Sequence, residues 1–175
     1  MASRFCLLFI AFLSACASVR GTSIALPADS LIEASSGQTT NLADVLDNRP
    51  VILALLAAPE TIEEALSWQE SFRTLRLQGA VAKIHAILVL PADMRAYDAL
   101  LREEYAEKFS NKGFDGVYLV YSDVEVFLQA FGQTAGKTAI LLNLEGGHFI
   151  TGHTSGSYTP QGLYELRQAS LPVLP

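Results

Sequence analysis

Residues 51–58 read Val-Ile-Leu-Ala-Leu-Leu-Ala-Ala, apolar at every position. A strand with one face in water alternates polar and apolar residues, whereas one without polar positions is covered on both faces. Such a strand belongs to a sheet held between two layers. Residues 83–90 form a second buried strand, stopped by Pro91. Between them, Pro59 opens a helix expected to run to about Leu77. Its apolar positions Ile62, Ala65, Leu66, Phe72 and Leu75 recur at three- and four-residue steps. Glu60, Glu63 and Glu64 load its first turn, and Gly79 ends it.

The alternation continues along the chain. Asn41 can cap a short helical turn over 42–46. Asp93 is expected to cap a helical stretch through Phe109, with Met94, Tyr97, Leu101 and Tyr105 on one stripe. Residues 117–121 read as a strand, and Ser122 with Glu125 as a capping box for a short helix ending at Phe131-Gly132. Residues 138–144 form the next strand, 145–147 a tight turn and 148–153 its hairpin partner. Residues 151–157, rich in small side chains, read as a loop. Thr159 caps and Pro160 starts a last helix through Ala169. The expected class is α/β: a mixed central sheet with helices on both faces, closed by a C-terminal β-hairpin plus helix.

The N-terminus carries an address. An apolar run over 5–13 follows a single charge, Arg4, and ends in Leu13-Ser14-Ala15-Cys16. A short basic start, a brief apolar stretch and a small-residue cleavage site describe a secretory signal peptide. The run is too short for the roughly 20 residues that span a bilayer. The Leu-Ser-Ala-Cys ending resembles the lipobox of bacterial lipoproteins. That resemblance implies cleavage before Cys16 and acylation of its thiol, so that the membrane is a partner through a lipid anchor. Ala17 stands where an inner-membrane retention signal would place Asp, which implies the outer membrane, facing the periplasm. The expected division is a signal peptide over 1–15, a lipidated tether and lead-in segment over 16–36, and one domain over 37–175.

Losing Arg4 with the signal peptide changes the formal net charge from −6 to −7. An acidic domain repels phosphate backbones, so nucleic acid is not an expected partner. The two cysteines are Cys6, which leaves with the signal peptide, and Cys16, which would carry lipid. The folded domain then has no thiol for a disulfide, for catalysis or for metal ligation.

The element order is similar to the thioredoxin-like superfamily, nearest its peroxiredoxin and TlpA-type branch. The resemblance rests on Gly37-Gln-Thr-Thr-Asn-Leu-Ala-Asp-Val-Leu46, on the strand over 51–58 with its long helix, and on Tyr118-Leu-Val-Tyr-Ser-Asp123 before Phe127-Leu-Gln-Ala-Phe-Gly132. It ends with Thr138-Ala-Ile-Leu-Leu-Asn143 and Gly146-Gly147. It implies a three-layer sandwich over roughly residues 24–169. The active positions depart from the family. Its cysteines would begin the helix after Ala58, where Pro59-Glu-Thr-Ile-Glu63 stands instead, and its cis-proline would fall at Gly136 or Lys137. Thiol chemistry needs a thiolate at the helix start, so the family's redox activity is not expected here.

Glu60 lies one helical step from Glu63 and Glu64, so Glu60 and Glu63 are candidate acid–base partners. Acidic side chains in a first helical turn also simply offset the helix dipole. A dry, concave pocket around Glu60 would favour catalysis, and open solvent would favour binding. His148 and His153 are five apart on one expected strand and so face opposite ways, and His85 is on another strand, with Lys83 as its neighbour. Local motifs supply no zinc set, and no metal or cofactor is expected. Residues 132–138 are one residue short of a phosphate-binding loop and are followed by a strand. Trp68, Tyr97 and Tyr105 would mark a partner surface if exposed and the core if buried. The expected role is binding, with an envelope protein or a peptide as partner. The alternative is an enzyme of the superfamily, or non-thiol chemistry at Glu60 and Glu63.

Overall fold

The computed structural model describes residues 24–25, 31–46, 50–134, 136, 138–143 and 149–170. The expected signal peptide, Cys16, Lys137 and His148 lie outside the described residues.

Seven strands form the central sheet: β2 (Leu31–Ala34), β3 (Thr39–Asn41), β4 (Val51–Leu56), β5 (Lys83–Leu90), β6 (Gly116–Tyr121), β7 (Ala139–Asn143) and β9 (Gly152–Ser155). Their order is β3-β2-β6-β5-β4-β7-β9. The β4–β5 and β5–β6 pairs are parallel, and the others are antiparallel. The short β1 (Ile24–Ala25) pairs separately with β8 (Phe149–Ile150). The α/β class and the mixed sheet follow the sequence expectation.

The period of two along a strand sorts β4 and β5 between two cores. Ile52, Ala54 and Leu56, with Ile84, Ala86 and Leu88, face one side. There they meet α2 (Glu60–Ser67), α3 (Gln69–Leu77), α4 (Asp98–Phe109) and α6 (Pro160–Ser170), through residues such as Ile62, Trp68, Phe72, Leu101, Phe109 and Leu166. Val51, Leu53 and Leu55, with Ile87 and Val89, face α1 (Leu42–Leu46) and α5 (Val124–Ala130) on the other side. All six β4 side chains are buried, as an unbroken apolar strand requires.

Several boundaries differ from the sequence expectation. The helix read as 59–77 is two, because the turn tightens at Trp68, whose N–H donates to the Ala65 carbonyl three residues back. The stretch from Asp93 begins as a 3₁₀ turn over Ala92–Tyr97, and only Asp98–Phe109 is α-helical. At three residues per turn, the 3₁₀ segment rotates Tyr97 off the stripe and leaves it 59 % exposed. The cap of α5 is Asp123, whose carboxylate accepts from Val126 N at 3.0 Å, and not Ser122. The hairpin partner of β7, expected over 148–153, is the edge strand β9 at Gly152–Ser155, which extends into the 151–157 segment expected as a loop because its backbone completes the β7 ladder. Leu31–Ala34, grouped by sequence with the lead-in segment, is a strand of the central sheet.

A charged cluster pins β2 to α4. Arg102, with its side chain 11 % exposed, donates to Asp98 Oδ2 at 2.7 Å and also to Glu33 and the Ala34 carbonyl. Tyr121 donates to the other Asp98 oxygen at 2.6 Å. Hydrogen bonds from Arg102 and then Tyr121 hold Asp98 below the usual carboxylate range. Among the described residues, no helix is long and apolar enough to cross a membrane.

Candidate functional site

The chain leaves the buried end of β4 through Ala57 and Ala58 and turns into α2 at Pro59. Its fixed backbone angle suits a helix start, and no side chain caps the turn. Glu60 and Glu63 both point into solvent. On the inward face, Thr61 is fully buried. Its hydroxyl donates to the Ala58 carbonyl and accepts from Ala58 N at 3.3 Å.

A second segment closes over this turn. Thr138, just before β7 and fully buried, donates its hydroxyl to the Thr61 carbonyl at 2.6 Å. Its backbone N–H donates to Glu64 Oε2 at 2.7 Å. The inward groups of the first helical turn are thus engaged by the strand that follows them in space. Of the three glutamates singled out by sequence, Glu64 is the one with a partner in this corner among the described residues. Thr61 and Thr138 carry no motif and become visible only once the fold places them together.

The far end of α2 is clamped as well. The Trp68 indole N–H donates to the Gly156 carbonyl at 3.0 Å, and Tyr158 N donates to Ser67 Oγ at 2.7 Å. Trp68 is fully buried, its ring stacked on Phe72 at 6.0 Å and edge-on to Tyr158 at 5.4 Å. Tyr105 is 8 % exposed. Both are core residues, so the partner-surface reading fails for them, and Tyr97 alone of the three is exposed.

Among the described residues, the two histidines, His85 and His153, do not meet. The ladder aligns His85 on β5 with Leu53, Leu141 and then His153 on β9. Three strand spacings separate the two imidazoles by about 14 Å. His153 is exposed. His85 is 4 % exposed, and among the described residues neither of its ring nitrogens has a hydrogen-bond partner. Burial lowers its pKa from 6.5 to about 4, against the opposing pull of Asp115. Among the described residues, no group of three His, Cys, Asp or Glu side chains is placed to hold a metal ion.

No protein-family model matches this chain, and no curated protein sequence does. Solved structures do match. A proposed electron transfer protein of Aquifex aeolicus VF5 superposes with a TM-score of 0.57 at 15 % identity, over 83 % of this chain and 96 % of that one. The thioredoxin domain of a thiol-disulfide oxidoreductase from Bacteroides vulgatus gives 0.53 at 13 % identity, over 83 % and 95 %. A DsbF homologue from Corynebacterium diphtheriae gives 0.54 at 15 % identity, over 85 % and 88 %. At these identities the likeness concerns the fold, and the fold is thioredoxin-like, shared with thiol-disulfide oxidoreductases.

Proposed function

We propose that this chain is a lipoprotein of the bacterial outer membrane, anchored through Cys16 and facing the periplasm. In this reading its thioredoxin-like domain is redox-inactive and serves as a binding or scaffold module for an envelope protein or a peptide. The supporting observation is the α2 corner. A thiol enzyme of this fold needs a thiolate at the helix start, where the dipole stabilises it. Here Pro59-Glu-Thr-Ile-Glu63 stands there, and the inward groups Thr61 and Glu64 are taken up by Thr138. The acid–base alternative would need a dry pocket around Glu60 and Glu63, and both stand in solvent.

Two measurements test this reading. Full-length protein should incorporate radiolabelled palmitate and fractionate with outer membranes, whereas Cys16→Ser should lose the label and become soluble. Unchanged membrane retention of Cys16→Ser would overturn the anchor. Purified protein should consume no peroxide in the presence of dithiothreitol beyond a buffer blank. Sustained turnover would overturn the redox-inactive domain.

A further inference from the structure

The outer face of α4 does not match a helix that only closes a core. Leu101, Tyr105 and Phe109 line its inner face and are buried. Leu100, the neighbour of Leu101, is instead 63 % exposed, three residues on from the exposed Tyr97. Residues three apart are neighbours on a helical surface, so the two form one apolar patch. A surface helix ordinarily keeps one apolar stripe, and a second points to a second cover. An exposed tyrosine is also the kind of anchor that protein interfaces use.

The same stripe continues into charge. Glu103 and Glu107 follow Leu100 at steps of three and four, and both are exposed. Like charges four residues apart on a helix repel each other. Glu107 also stands in the last turn of α4, where the helix dipole disfavours a carboxylate. The basic side chains of α4 are engaged elsewhere. Arg102 turns inward to Asp98 and Glu33, and Lys108 donates to Glu104 at 2.6 Å. Among the described residues, the Glu103 and Glu107 carboxylates make no hydrogen bond and no ion pair.

These two features together select the occupant. A bare cation would leave Tyr97 and Leu100 in water. An uncharged apolar segment would cover the neighbouring carboxylates without pairing them. A second copy of this chain brings the same two glutamates, and an anionic lipid surface is repelled. We propose that the outer stripe of α4 docks a basic, amphipathic helical segment of a partner protein, its apolar half on Tyr97 and Leu100 and its cations at Glu103 and Glu107. From Tyr97 to Glu107 the stripe runs about 15 Å, or about three turns of such a segment. This docking face rests on the binding-module reading of the domain and gives it a place and a partner chemistry.

The test is fluorescence anisotropy of labelled peptides with full-length protein in non-ionic micelles, empty micelles serving as the blank. The probes are alanine-based helices of about 18 residues, with leucines at one end of a single stripe and lysines at the other, in either order. At least one order should bind saturably, about tenfold more tightly than the same peptide with glutamate for lysine or serine for leucine. Glu103→Gln with Glu107→Gln should weaken that binding about tenfold, and Leu100→Ser at least as much. Glu125→Gln with Glu165→Gln removes the same charge from exposed positions on α5 and α6 and should leave it within about twofold. Equal weakening by both pairs, or no saturable binding of either peptide, would overturn the docking face. The redox-inactive domain would stand in that case, because peroxide consumption tests it independently.

Discussion

The Thr138 hydroxyl donates to the Thr61 carbonyl at 2.6 Å, joining the residue before β7 to the first turn of α2. Both residues are fully buried, so the bond is made out of reach of water. Thr138→Val keeps the shape of the side chain and removes the donor. It should destabilise the protein by about 1–2 kcal/mol. Urea unfolding should show a lower midpoint with an unchanged slope.

The three glutamates of α2 separate on the same grounds. Glu60→Gln and Glu63→Gln alter solvent-exposed positions and should shift stability by no more than about 0.5 kcal/mol. Glu64→Ala removes the acceptor of the Thr138 N–H and should cost about 1–2 kcal/mol. Parallel thermal melts of the three variants check this order. A large loss at Glu60 or Glu63 would point to a role for them that exposure does not explain.

Trp68 is the chain's one tryptophan and is fully buried against Phe72 and Tyr158. Its fluorescence should therefore be blue-shifted in the native protein and move to the red on unfolding. Trp68→Phe loses the hydrogen bond to the Gly156 carbonyl and leaves a small void. The expected cost is about 2–3 kcal/mol, read by circular dichroism in urea.

What was legible in the sequence was local. The apolar runs announced β4 and β5, and the bounds read for β5, residues 83 to 90, are those observed. Thr159 caps α6 as its position suggested, accepting from Gly162 N at 3.0 Å. Where two polar residues competed for one cap, as Ser122 and Asp123 do, spacing alone chose the wrong one, because backbone geometry decides which oxygen reaches the free N–H. The break at Trp68 was not legible: its backbone N–H turns to the Ala65 carbonyl three residues back, and its indole donates to a carbonyl 88 positions away. The α2 corner shows the same limit: its acidic turn could be read directly, but Thr61 and Thr138 are 77 positions apart and meet only in the folded sheet. His85 was visible as a histidine on a buried strand, whereas its burial with unpaired nitrogens shows only in the folded sheet.

His85 also makes stability depend on pH. The unfolded imidazole takes its proton near pH 6.5 and the folded one only near pH 4, chiefly through burial, with Lys83 and Arg76 adding to the lowering and Asp115 opposing it. Between those values the unfolded state holds more protons, so stability should fall as pH drops from 6.5 toward 4, by roughly 3 kcal/mol in all. Below that window this group contributes no further loss. His85→Leu should flatten the slope in denaturant titrations across the window, and an unchanged slope would assign it to other groups.

Insulin-disulfide reduction tests the thiol-free account most directly, with full-length protein and Cys16→Ser assayed side by side in preparations free of host oxidoreductases. Both should precipitate insulin no faster than dithiothreitol alone. Faster precipitation by the full-length protein, lost in Cys16→Ser, would contradict it, because Cys16 would then be a working thiol rather than a lipid anchor.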